Sequence, residues 1–513
     1  EAKWLGTKTS DGYVFQSAAH QTYMTSDAGL SSNAENISIS DLNASVTDYS
    51  VKYDLSALNA LDSLNGIQVI SRLHTLGLSR SDLMNPEANM TSLNTNIQSA
   101  LSGLPTQTVQ YTGTDVDDLN QFLQNNTGKI VQLTQDIQVY KNTNGSFGII
   151  MVPSDTILDG NGHRLVMKAG YTEAPDVGVV LYVYKDGVIP STNCGVKNLS
   201  TDIPYVNSIN VFSADNILIE NNTLNNATKS GIMISDEYGS TVNGIIRGNT
   251  INNVGDDAIA VYGNHSNLLI DSNRISGAKG FAGIAISCLQ NGQQIRVDNE
   301  TTGPHDIIVT GNVVSGCSGE ALYCIGSYKT YITYNTLRDS ILEGVCLDSG
   351  CIGNYFAHNE VVNNGIAGGL PGVSIDNGIY NIVDSNNVYN NSCSGIKLVR
   401  TGLGNIIVNN ICTDNAYNQM GAKSSGIDIE PLAVETENLG YIDGLGSNWN
   451  VVLNNTVTGS HDFGVFIADD DTANNGGSSC ENVIMYNKFS SAYTFGAADF
   501  SSMSSTVKNN ITL

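Results

Sequence analysis

The sequence predicts an all-β chain: a right-handed parallel β-helix solenoid with an N-terminal, mainly helical extension. Three observations carry this reading. A short phrase built on an asparagine recurs along the chain, its spacing has a fixed floor, and a second strand-like run led by a small residue follows most copies.

The phrase reads IENNTL ending at Leu224, IRGNTI ending at Ile251, IDSNRI ending at Ile275 and VTGNVV ending at Val314, and it continues to VKNNIT near the C-terminus. The asparagines align as Asn222, Asn249, Asn273, Asn312, Asn335, Asn359, Asn387, Asn410, Asn455, Asn487 and Asn510. Their intervals never fall below 23 residues, and the longest reach 39 and 45. A coil of strands explains this pattern. Each unit is one turn, and surplus residues leave as loops without disturbing the stack. A turn asparagine tolerates left-handed backbone, and its amide can bond the same amide one turn away. These asparagines therefore read as structural.

The second run is GIMIS from Gly231, AIAVY from Ala258, GVCLD from Gly344, GVSID from Gly372, GIKLV from Gly395 and GIDIE from Gly426. Period-two alternation sends the first and third residues after the small one inward, and the second and fourth outward. No single turn can bury its apolar face, so stability must come from stacking.

Ahead of the repeats the pattern is helical. One helix is expected from a cap at Asp54 or Ser56 to Gly77, with Leu58, Leu61 and Leu64 on its apolar side. A second starts at Asn85-Pro86, carries Met90, Leu93, Ile97 and Leu101 as its stripe, and ends at Gly103 and Pro105. Those stripes must bury against the solenoid's flank or another subunit. A third, Thr114 to Gln124, places Leu119, Phe122 and Leu123 on one face, suited to plugging the solenoid's open end. The division expected is an N-terminal helical or irregular region, 1–112, and a solenoid with its capping helix, 113–513. The stretch 172–210 is less regular and reads as containing a large loop. No helical lid follows the last repeat; the weakly patterned stretch 489–505 is the chain's own candidate cover for that edge.

The phrase TILDGNGHRL, Thr156 to Leu165, followed by turns of the N-x-I-x-x-N type, resembles the parallel β-helix repeat proteins of the pectate-lyase-like superfamily. The nearest resemblance within it is to NosD-like and cell-surface proteins of methanogenic archaea. That resemblance implies the fold over roughly residues 126–513 and implies no single activity, because such folds host lyases, hydrolases, epimerases and plain surface proteins.

With 23 Lys+Arg against 49 Asp+Glu, the net charge of −26 argues against nucleic acid and anionic membranes as partners. No stretch is long and apolar enough to span a bilayer as a helix. The nine cysteines contain no CxxC pair, which disfavours a zinc knuckle, and an odd number leaves at least one thiol free or bonded to another chain. Cys324 reads as core and Cys346 as outward-facing. Sequons such as Asn226, Asn264 and Asn390 suit a glycoprotein if the chain is exported.

Chemistry concentrates on the outward positions Asp348, Asp376, Lys397, Asp428 and Glu430, with Arg400 beside them. Asp348 and Asp376 share a register on adjacent turns. Strands about 4.8 Å apart would bring them close to the roughly 5–5.5 Å that separates the carboxyls of a retaining glycosidase. Lys397 is a candidate lyase base. The same carboxylates, Asp348, Asp376, Asp428 and Glu430, are an alternative Ca²⁺ site; otherwise no cofactor is required. The bland alternative is a solvated acidic face. Asp256-Asp257 resembles the paired aspartates of β-helix polygalacturonases but lacks its companions. Only Trp4, Trp449 and 7% aromatic residues are present, which weighs against long sugar chains.

Two functions follow. The first is an extracellular structural protein, a homo-oligomer or polymer, which self-assembles into a cell-surface sheath, layer or filament, disulfide links included. The second is a secreted carbohydrate-active enzyme, a retaining glycoside hydrolase or polysaccharide lyase, with polysaccharide as partner and Asp348, Asp376 and Lys397 as its catalytic residues.

Overall fold

Three parallel sheets wind around one apolar core. The computed structural model describes residues 85–513 except 142–147, 185–186, 291–292, 295–302, 401, 417–424, 432–446, 469–478, 480, 491–494 and 502–504, together with four short strands between residues 4 and 31. Sheet A has 15 strands, sheet B has 14 and sheet C has 13. The chain visits them in the order A, B, C. Asp215–Glu220 lies in sheet A, Thr223–Asn225 in sheet B and Ile232–Ser235 in sheet C, and the next turn repeats the cycle. The winding, the stacking and the inward alternation are those expected: Ile232 and Ile234 are fully buried beneath Ile259 and Val261.

The repeated asparagines occupy the corner between sheets A and B. Asn222 donates through Nδ2 to Asn249 Oδ1 at 3.0 Å, and its backbone N–H reaches the same oxygen at 3.0 Å. The second Nδ2 hydrogen goes to the Val196 carbonyl at 3.1 Å. This set repeats down the stack to Asn510, so every buried amide is satisfied by its neighbours. One member differs from the sequence alignment. The ladder passes from Asn359 to Asn386 and on to Asn410, whereas Asn387 is the exposed first residue of its sheet B strand. In the doublet at 386–387 both residues are asparagine, and only the strand register distinguishes them.

Two further ladders exist. Asn354, Asn381, Asn405, Asn450 and Asn482 line the corner from sheet C to sheet A. Asn364, Asn391 and Asn415 line the corner from sheet B to sheet C, and His461 closes that ladder by accepting the Asn415 N–H at 3.0 Å. All three corners are therefore pinned by amides over the turns from Asn354 to Asn415.

The helix α1, Pro86–Ala100, continues as a 3-10 turn through Gly103. Its predicted stripe covers the outer face of sheet A. Ile97 and Leu101 are buried with Ile245, Leu269, Ile308 and Tyr331, and Met90 and Leu93 pack against them. Of the two sites open to that stripe, the solenoid's own flank is the one occupied. His358 Nε2 meets Glu87 Oε1 at 3.2 Å near the start of the helix. The helix α2, Val116–Asn125, is capped by Asp115 and buries Val116, Leu119 and Leu123 in the end of the core, as a plug does.

Several expectations change. The strand Thr108–Tyr111 pairs with Lys129–Leu133 and begins sheet A, so a boundary at 112/113 cuts into the solenoid. The described N-terminal residues include an antiparallel sheet of four strands, so the extension is not wholly helical there; the helix expected from Asp54 to Gly77 lies outside the described residues. The irregular stretch 172–210 holds a small antiparallel hairpin, Tyr182–Tyr184 with Val188–Pro190. Lys488–Phe489 and Phe495–Asp499 are turn strands in sheets B and C, and they extend the stack rather than fold over its edge. The eight described cysteines are all buried, Cys346 included, and among the described residues there is no disulfide; Cys480 lies outside them. No described helix is long and apolar enough to cross a membrane.

Candidate functional site

The candidate residues stand at outward positions of four neighbouring strands of sheet C, Val345–Asp348, Val373–Asp376, Ile396–Val399 and Ser425–Ile429. Cys346 pairs with Ser374 and Ser374 with Lys397, which in turn pairs with Asp428. One step along the strands, Asp348 and Asp376 end their strands at equivalent positions. The sequence register is therefore the observed one, and these two acids stand on adjacent strands, whose backbones lie about 4.8 Å apart; Asp348 bonds Tyr323 of the preceding turn and Asp376 bonds Arg400 of the following one.

The two acids have different surroundings. Asp348 accepts from Tyr323 Oη at 2.7 Å and from Ser349 Oγ at 2.5 Å. Asp376 pairs with Arg400 through Oδ2, and its other oxygen is buried without a hydrogen-bond partner. Burial, then the charge of Asp348, pushes the Asp376 carboxyl up to about 6 against the pull of Arg400. Desolvation and like charge raise a carboxyl in this way.

Lys397 sits between acids on the far side, 2.8 Å from Glu430 and 3.8 Å from Asp428. Burial alone would lower its ammonium, but Asp428 and Glu430 outweigh that and raise it. An ammonium held charged is an electrostatic partner rather than a base, which removes the support for Lys397 as a lyase base. Burial, then Glu430, pushes Asp428 up to about 8, and Asp428 Oδ1 has no hydrogen-bond partner. The four carboxylates named for Ca²⁺ thus divide: Asp428 and Glu430 around Lys397, Asp376 on Arg400, Asp348 on Tyr323. Among the described residues no group of three or more His, Cys, Asp or Glu converges as a ligand set.

Sequence reasoning missed two acids in the corner that leads into sheet C, Glu320 and Glu343; Asp257, in the same corner, belongs to the Asp256-Asp257 pair it set aside. Glu320 and Glu343 immediately precede the small residues Ala321 and Gly344, and Asp257 precedes Ala258. Burial, then Glu320, pushes Glu343 up to about 7; burial pushes Asp257 up to about 7. Asp257 accepts from the Ala282 N–H at 2.9 Å and from Tyr262 Oη. The available signal was an acid directly before the small residue, a position held by Pro371, Ser394 and Ser425 in the next three turns and by Phe463 and Phe495 after them. The same face collects rings. Tyr323 packs edge-on to Phe281 at 4.8 Å, Tyr182 stacks on Phe212 at 5.0 Å with Tyr238 beside it, and Phe463, Phe466 and Phe500 cluster at the other end. Few aromatics are present, yet many of them gather here, which removes much of the weight from their scarcity. A cavity of about 370 Å³, lined by Gly103, Pro105, Thr127, Gly128 and Asp155, lies far from these acids and has one titratable side chain.

A family model described as right handed beta helix region matches residues 181–302. No curated protein matches the sequence. Among solved structures, the chain is similar to the A-module of the Azotobacter vinelandii mannuronan C-5 epimerase AlgE6, with 14% identity over 78% of this chain and 99% of that one and a TM-score of 0.45. It is also similar to the Streptococcus pneumoniae surface adhesin PfbA, with 12% identity over 74% of this chain and 85% of that one and a TM-score of 0.41. A tailspike of E. coli bacteriophage HK620, in complex with a hexasaccharide, gives 13% identity over 75% of this chain and 73% of that one and a TM-score of 0.44. None of these likenesses bears on chemistry.

Proposed function

Starting from a right-handed parallel β-helix of the pectate-lyase-like fold, we propose that this chain is an extracellular carbohydrate-active protein that works on glycans at the outer face of sheet C. The observation that carries the reading is the stacked pair Asp348 and Asp376, with the second carboxyl pushed up to about 6. A carboxyl protonated near neutrality can deliver a proton to a glycosidic oxygen, while its neighbour, acting as carboxylate, attacks or stabilises the sugar carbon. Their spacing along the stack suits retention of configuration. Arg400 positions Asp376, and Tyr323 orients Asp348. The rings along the face offer apolar surfaces to sugar rings.

The test is a glycan-degradation screen with the native chain and the Asp376→Asn and Asp348→Asn variants, reading product configuration by NMR. Turnover with retention that both variants lose supports the reading. Full turnover by Asp376→Asn sinks it, as does a chain that neither binds nor cleaves any glycan.

The self-assembling sheath has lost two of its supports, since the described cysteines are buried and the α1 stripe covers its own flank. Negative-stain images of native material showing ordered polymers would support that reading, and monodisperse monomers would remove it.

A further inference from the structure

The charge pattern of this face bears on which glycans it accepts. Among the described strands of sheet C, Lys397 is the one cationic residue, and Asp428 and Glu430 already occupy it. Arg400, just beyond the same strand, is held by Asp376. Among the described residues of the sheet C strands no cation is left over for an incoming carboxylate. Asp348 and Asp376 instead stand on adjacent turns of one face, and carboxylate charge there repels an anionic chain at close spacing.

The same face is furnished for hydroxyl groups. Glu320 Oε2 and Asp428 Oδ1 are buried and have no partner, and the Asp428 side chain is only 3% exposed. A carboxyl in its protonated form is both donor and acceptor, so it matches a sugar hydroxyl, which is also both. Asp428, pushed up to about 8, is mostly protonated at neutral pH, and Glu343, pushed up to about 7, is about half protonated. Tyr262 and Tyr323 add apolar ring surface between the acids.

We propose that the ligand of the sheet C face is an uncharged oligosaccharide, bound through its hydroxyl groups, and that uronic-acid polymers are excluded. This deepens the glycan reading above and rests on it.

The experiment uses the full chain with Asp348→Asn, so that bound sugar is not consumed while Arg400 stays paired with Asp376. A glycan array and calorimetry compare neutral hexasaccharides (cello-, xylo- and malto-series) with oligogalacturonate and oligomannuronate of equal length. Neutral sugars are expected to bind at least about tenfold more tightly, a clear difference on the affinity scale. Raising salt from about 0.01 M to about 1 M shortens the screening length from about 30 Å to about 3 Å. Neutral binding should then stay flat, and whatever uronate binding exists should strengthen. Uronates that bind more tightly than neutral sugars, or that weaken with salt, overturn the proposal while leaving the glycan reading intact. An array with no ligand of either class overturns both.

Discussion

The outer faces of sheets A and C share one backbone, one turn spacing and one register rule, yet they do opposite things. Along sheet A the outward column is Leu269, Ile308, Tyr331, Ile382 and Ile406, all buried, with α1 laid across part of it. Along sheet C the equivalent positions hold Ser374, Asp376, Lys397 and Asp428, also largely buried, but with carboxyls pushed out of their ordinary range. Burial contributes stability on the first face and costs it on the second. The winding fixes where a side chain points; it does not fix what that position is used for.

The largest effect should separate the two faces by function. Asp376→Asn is expected to lower kcat by about 10²–10⁴-fold, the usual weight of a positioned acid, while leaving the thermal midpoint unchanged or higher. A midpoint that falls sharply would mean Asp376 is structural. Next, Ile97→Ala empties a fully buried position under α1 and should cost about 2–5 kcal/mol in denaturant unfolding without touching glycan turnover. Equal loss from both faces would erase the distinction.

The corner between sheets A and B gives a smaller and sharper test. Asn386→Ala removes the acceptor for the Asn359 amide and backbone N–H and should cost about 1–3 kcal/mol. Asn387→Ala, one residue on and exposed, should stay within about 0.5 kcal/mol. The reverse order would restore the sequence alignment.

The smallest effect is in pH. Asp257 and Glu343, at about 7, and Asp428, at about 8, sit above their unfolded values. The folded state therefore binds more protons than the unfolded one, and stability falls as pH rises through that range. His461, lowered to about 4 chiefly by burial, contributes the opposite slope, but only below its unfolded value of 6.5. The melting temperature should thus decline from about pH 6.5 to about pH 8, and Asp428→Asn should flatten the decline.

The winding was readable because it rests on repetition. Asparagines such as Asn222 and Asn249 recur in a fixed phrase, and the alternation around Ile232 and Ile259 sets which side is in. The α1 stripe was equally legible from Met90, Leu93 and Ile97, although its docking partner was not, since flank and foreign subunit look alike to a helix. The dyad register was also legible, because Asp348 and Asp376 hold the same place in two copies of one run. What the sequence hid depends on burial. Nothing in GEA or EGV marks Glu320 and Glu343 as enclosed, and nothing in IKLV says that Lys397 lies between two acids. The third ladder was hidden because Asn364, Asn391 and Asn415 stand in turns of differing composition.

The amide ladders have a practical consequence. Asn410 bonds Asn455 across 45 residues of chain at 3.0 Å, the same length seen where the interval is 23. The staples do not register how much polypeptide leaves and returns between them. An engineer who keeps the strands Ile411–Thr413, Ser425–Ile429 and Val451–Leu453 could therefore exchange the segments that join them and expect the coil to close as before.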